Sequence, residues 1–178
     1  MAPTRYGPFH KFLHWTIFLM IVGLWCLAHL RGYYPKDDIA TRSYIMGLHI
    51  SCGLLMLFLV IVRVLWRLTH AIPELPAATP TLEAMLAKVT HLVFYALMLV
   101  IPLLGIYVVW LYGHGASFFN LVTIPQLVEK NMELHDKLGK IHEWLANIVL
   151  FLLAFHVVAA LWHHYVKKDD VLRRMLPW

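Results

Sequence analysis

Charge is what this sequence has least of. Asp, Glu, Lys and Arg make up 14% of its 178 residues, against 61% hydrophobic, where a soluble domain normally carries about a quarter. A water-soluble fold is therefore not expected, and most of the surface should face lipid. Cysteine is almost absent. Cys26 and Cys52 lie inside apolar runs, make no metal or redox motif, and read as small core residues, which excludes a disulfide framework. No small-residue cleavage site follows the first apolar run, so His29-Leu30-Arg31-Gly32-Tyr33-Tyr34 reads as the interfacial end of a retained helix. Internal repeats are also missing. Paired repeats would normally mark a transporter that uses intramembrane histidine for protons or metal ions. The net charge of +5 does not point to nucleic acid, because the bases cluster at the ends of apolar segments, where lipid headgroups meet them.

What the sequence has in place of charge is four long apolar segments, at about 9–30, 43–68, 82–112 and 137–166. A bilayer core about 30 Å thick needs about 20 helical residues to cross it. The expected fold is all-α: one membrane domain over residues 1–178, an up-down-up-down four-helix bundle with haems between the helices. The first link, Gly32 to Asp38, is rich in turn residues, and Pro73, Pro76 and Pro80 should extend the second. The third link, about 113–136, opens with Phe118, Phe119, Leu121, Val122 and Ile124, which suits a path along the interface. Thr81 with Glu83 resembles a helix start. Pro102 should kink helix three and free a carbonyl near Met98. The side with both termini holds Arg5, Lys11, Arg63, Arg67, Lys88, Lys167, Lys168, Arg173 and Arg174; the other holds Arg31, Lys36, Arg42, Lys130, Lys137 and Lys140. The excess of bases puts both termini in the cytoplasm.

Twelve histidines stand out in so apolar a chain. His14, His49, His91 and His156 lie deep in apolar segments, where a polar side chain is costly without a partner and implies function. Given the topology, His49 and His142 share a level toward the outside, and His14 and His156 share one toward the inside. His142 and His156 are fourteen residues apart. Two heptads return both to one seam of a left-handed bundle and separate them by about 21 Å along the helix. One helix can thus offer an axial ligand to each of two haems, with His49 and His14 as the second ligands. Two histidines fill both axial positions of an iron, which suits electron transfer and leaves no site for oxygen. Gly23, Gly47, Gly53 and Gly105 offer room for a porphyrin. His91 is a rival to His14, or a hydrogen-bond partner of a haem propionate or the backbone. His163 continues the same seam one heptad on, and reads either as a proton-passing contact to a quinone carbonyl or as an interfacial residue. His10, His29 and His164 read as interfacial, and His70, His114 and His135 fall in links without an assigned role. The outer bases would attract a small anion or an acidic redox partner, or form a solvated face.

Phe12-Leu13-His14-Trp15, Leu48-His49-Ile50-Ser51-Cys52-Gly53, Thr90-His91-Leu92-Val93, His142-Glu143, His156 and His163-His164-Tyr165, with Arg31-Gly32-Tyr33-Tyr34-Pro35, resemble the bacterial cytochrome b561 family over nearly the whole chain. The fourteen-residue spacing also resembles that in the cytochrome b subunits of membrane-bound formate dehydrogenases and hydrogenases. The resemblance implies two b haems held by the pairs above, ubiquinone as a redox partner and His163 as its contact. It further implies a place in the bacterial inner membrane, where some members oxidise superoxide at the periplasmic face and reduce ubiquinone in the membrane. The expected activity is therefore that of a superoxide:quinone oxidoreductase, or of another periplasmic one-electron donor feeding quinone. The alternative is a cytochrome subunit that passes electrons from a partner dehydrogenase or hydrogenase to quinone.

Overall fold

The computed structural model describes residues 3–74 and 79–177. Pro76, one of the three prolines expected to extend the second link, lies outside the described residues. The chain forms α1 (Pro8–Tyr33), α2 (Ile39–Thr69), α3 (Thr81–Tyr112), a hairpin of β1 (Ala116–Phe118) and β2 (Val122–Ile124), and α4 (Met132–Trp162), which runs into a π-turn over His163–Lys167. All four helices are long and apolar enough to cross a membrane. The fold is the four-helix membrane bundle expected from the sequence.

Caps, not hydropathy, set where two of these helices begin. The Asp38 carboxylate accepts from the Thr41 amide at 3.1 Å and starts α2. The Asn131 side chain accepts from the Leu134 amide at 3.0 Å and starts α4. As a result α4 takes in His135, which the sequence reading left in a link. Thr81 does begin α3, but no side chain caps it. That helix runs through Pro102 and ends at Gly113, whose φ of 102° is a left-handed C-terminal conformation that glycine accepts without steric cost.

The surface is apolar. Phe12, Leu19, Phe58, Leu92, Phe151 and Phe155 all point outward, as lipid-facing side chains do. Cys26 is also exposed, so it is not the core residue expected from its apolar neighbours, while Cys52 is half-buried; both are free thiols. The buried core is a single layer to which every helix contributes: Ile17 from α1, Met56 and Val60 from α2, Phe94 and Met98 from α3, Val149 and Leu153 from α4. Successive helices pack side by side, but α1 and α4 touch only sparsely. Among the described residues the backbones of the diagonal partners, α1 with α3 and α2 with α4, do not meet. Space along the bundle axis is therefore bridged by side chains alone.

The apolar half of the third link folds as an antiparallel hairpin, with Phe118 opposite Val122. Its turn has Phe119 at φ 47° and Asn120 at φ 59°, closed by the Leu121 amide donating to the Phe118 carbonyl at 2.9 Å. Two left-handed central residues match the twist of a hairpin, although phenylalanine adopts that conformation at a cost. The buried Ser51 of α2 holds the turn in place. Its hydroxyl accepts from the Phe119 amide at 2.9 Å and lies 2.8 Å from the Gly47 carbonyl and 3.2 Å from the Ser117 carbonyl, to which it donates.

Ser51→Ala leaves the Phe119 amide without its acceptor, at a cost of about 1–3 kcal/mol. The expected outcome is faster proteolysis and faster amide exchange across residues 116–124, with the four helices unchanged. Native-like protection of the hairpin in this variant would refute the anchoring role.

Candidate functional site

The two levels of histidine expected from the sequence are brought together. The His49 and His142 rings lie with centroids 6.2 Å apart at 73°, and those of His14 and His156 lie 6.1 Å apart at 63°. Metal–imidazole bonds of about 2 Å on either side of one iron, plus the half-width of each ring, put the centroids of two trans ligands about 6 Å apart. Both pairs meet that spacing. Between the two levels lies the apolar core layer, with Val149 and Leu153 separating His142 from His156 on α4.

The outer pair is oriented by backbone. His49 Nδ1 donates to the Leu24 carbonyl of α1 at 3.1 Å, and His142 Nδ1 donates to the Ile101 carbonyl of α3 at 3.1 Å. A carbonyl only accepts, so Nδ1 carries the proton in both rings and the lone pair is at Nε2. This is the arrangement of a metal-ligating histidine, whose second nitrogen is fixed by a carbonyl. Gly105 makes the approach to α3 possible. A Cβ there would stand 3.1 Å from His142 Cε1, so this glycine admits the imidazole. At Gly23, Gly47 and Gly53 an added Cβ would meet nothing within 4 Å, in keeping with open space at these positions.

The inner pair has a different support, which sequence reasoning missed. Arg63, counted there only as a rim charge, donates to the Tyr95 hydroxyl at 3.2 Å, to the His10 carbonyl at 3.1 Å and to His14 Nδ1 at 3.3 Å. A guanidinium only donates, so Nδ1 of His14 holds a lone pair in this arrangement. Iron at Nε2 would require the proton on Nδ1, and ligation there therefore displaces Arg63. The signal in the sequence was an arginine four residues inward of Arg67, the first charge met after twenty uncharged residues of the second apolar run. His91 lies 6.0 Å from His156, as close as His14 does, but on α3, which packs closely against α4. Phe94 of the same helix also lies against His156, at 5.6 Å.

The other candidates fall at the two ends. His163 opens the π-turn, and its Nδ1 donates to the Asp169 carboxylate at 2.5 Å. His164 is half-buried beside it. His10, near the start of α1, is buried among Tyr6, Trp66 and His70. His70 stacks on Trp66. At the opposite end His29 stacks on Trp25. His135 donates to the Val108 carbonyl, and His114 and His135 flank Tyr112. The outer bases are partly engaged: Arg42 donates to the carbonyls of Arg31 and Tyr34, Lys137 pairs with Glu133, and Lys130 lies over the Tyr112 ring. Lys36 and Lys140 are exposed. Arg31 Nε and Trp110 Nε1 are buried donors without a hydrogen-bond partner among the described residues.

Gly105→Leu is expected to push the His142 ring off α3 and break its bond to Ile101. The measurement is haem per purified chain by pyridine haemochrome, with a loss of about half expected if each histidine pair holds one haem. Full haem content would mean that the tight approach at Gly105 is not needed.

The sequence is similar to those of known proteins. The family model described as prokaryotic cytochrome b561 matches residues 5–178. The chain is 33% identical over 174 residues to a Yersinia pestis protein named probable superoxide oxidase CybB, spanning 97% of this chain and 96% of that one. It is 32% identical over 173 residues to cytochrome b561 homolog 1 of Escherichia coli K12, spanning 97% of each. It is also 32% identical over 183 residues to cytochrome b561 homolog 2 of the same strain, spanning 98% of this chain and 93% of that one. The chain belongs to the prokaryotic cytochrome b561 family, multi-pass membrane proteins that bind b-type haem and transfer electrons.

Proposed function

We propose that this protein holds two b haems, one between His49 and His142 and one between His14 and His156, and conducts electrons from a periplasmic one-electron donor to ubiquinone in the bacterial inner membrane. Superoxide is the leading donor. The observation that carries the reading is the pair of matched separations, 6.2 and 6.1 Å, on histidines two heptads apart along α4. The open diagonal between α2 and α4 supports it, because the outer rings approach to 6.2 Å where no backbone fills the gap. The sparse α1–α4 contact supports His14 over His91 as partner of His156, since the closely packed α3–α4 seam offers less room for a porphyrin. Buried donors at Arg31 and Trp110 suit the carboxylates of the outer haem.

When bound, the haems supply one-electron redox chemistry. His49, His142, His14 and His156 would hold the two irons, and the bound haems would serve electron transfer there. The core layer excludes water between the two levels, and the bases of the outer rim attract an anionic donor. His163, one heptad beyond His156, faces the quinone near the inner haem. Two superoxide ions give two electrons and leave as dioxygen; one quinone takes those electrons with two protons and leaves as quinol. The charge bias puts both termini, and with them the inner haem, on the cytoplasmic side. The relative named probable superoxide oxidase supports the choice of donor.

The test is a pyridine haemochrome count with a reduced-minus-oxidised spectrum of detergent-purified protein. Two haems per chain are expected, with one left in His142→Ala and one in His156→Ala. Full haem in both variants would rule out the ligand assignment. Superoxide generated in the sample should reduce the haems, and added ubiquinone-1 should reoxidise them. Haems that stay oxidised under superoxide would discard it as donor.

A further inference from the structure

At the end of α4 the chain makes a tight reversal that serves one side chain. The π-turn over His163–Lys167 is followed by Lys168 at φ 55°, a left-handed residue that turns the backbone back. The Asp169 amide then donates to the His163 carbonyl at 3.2 Å. Of the Asp169 carboxylate oxygens, one accepts from His163 Nδ1 at 2.5 Å and the other from the Val171 amide at 3.1 Å. The two side chains keep 21% and 25% of their surface, so the pair is shielded but still meets water. The tail beyond it is tied down on every side. Arg174 donates to the Glu74 carbonyl at 2.6 Å and accepts from the Tyr6 amide at 3.3 Å. Trp15, the neighbour of His14, donates to the Met175 carbonyl at 3.0 Å.

We propose that Asp169 is the positioning residue of a proton-donating dyad: it holds His163 with Nδ1 toward the carboxylate and Nε2 toward a lipid-soluble quinone, and balances the ring's charge while that proton is passed on. This rests on the reading of His163 as the quinone contact. A carboxylate only accepts, so Nδ1 keeps its proton and Nε2 is the atom left for the quinone. Quinone reduction consumes two protons along with two electrons. The electrons arrive through the membrane from the far side, and the dyad links the site to water on the side of the termini. After each transfer from Nε2 the ring is reprotonated from that water. Partial burial works to raise the Asp169 carboxyl, but the hydrogen bonds from His163 and Val171, with the charges of His163 and Lys167, outweigh it and leave it below the ordinary carboxylate range. It is therefore an anion throughout the neutral range. Lys167 is itself paired with Glu83 of α3. The other charged groups nearby are on the tail: Lys168, Asp170 and Arg174. From the N-terminal segment the tail meets the uncharged Tyr6, and from α1 the uncharged Trp15.

An amide cannot balance a cationic ring, so Asp169→Asn should lose the proton-donating form at lower pH than the native protein. The experiment uses full-length, haem-loaded protein, reduced anaerobically with limiting dithionite and mixed with ubiquinone-1 in a stopped-flow instrument across pH. In Asp169→Asn the haems should be reoxidised about tenfold more slowly above neutral pH, with the alkaline limb moved acidward by about one pH unit. Haem content and spectrum should stay native, and Asp169→Glu should restore much of the rate. A native rate and profile in Asp169→Asn overturns the dyad while leaving the quinone reading intact. Native protein that ubiquinone-1 does not oxidise overturns both. If the Asn variant does not assemble, the native protein decides: its reoxidation must slow in heavy water, and an unchanged rate there overturns the proposal.

Discussion

The arrangement depends on the cost of leaving an imidazole unsatisfied in hydrocarbon. A neutral ring has one donor and one acceptor, and each group left without a partner at membrane depth costs several kcal/mol. At the outer level the donors are satisfied by the carbonyls of Leu24 and Ile101, on helices that flank the pair. Each ring is then left with a lone pair, and the two ring centroids lie 6.2 Å apart. Two acceptors so close together stabilise nothing by themselves. They become favourable when an electrophile sits between them, and iron in a porphyrin of this family is such a group.

The inner level solves the same problem with charge. Arg63 reaches from α2 to the backbone of α1, the Tyr95 hydroxyl of α3 and the His14 ring, so a single guanidinium ties three helices together. The two levels therefore orient their histidines differently, with neutral carbonyls at one and a cation at the other. On the proposed ligation Arg63 would give up the His14 ring but keep the Tyr95 hydroxyl and the His10 carbonyl, so its charge would stay near the inner level. A positive charge beside a haem favours its reduced state, because reduction removes a charge from the iron, and that asymmetry would bias electrons from the outer level toward the inner one.

Much of this was legible in the sequence because hydropathy and heptad spacing are one-dimensional signals. Four apolar segments gave the four helices, and the fourteen residues between His142 and His156 predicted that both would face one seam. Contacts made by chain reversal were not legible. Asp169 reaches His163 only because a π-turn and a left-handed Lys168 fold the tail back, and neither has a sequence signature. Ser51 looked like a small residue in a membrane helix, yet it holds a turn nearly seventy positions away. Cys26 was misread for a related reason: apolar neighbours do not tell which side of a helix faces lipid.

The open diagonals have a consequence for biogenesis. Among the described residues α2 and α4 make no backbone contact, so side chains alone span that diagonal. A b-type haem that binds only the folded form stabilises it by mass action, so haem binding and maturation of the bundle become one linked equilibrium.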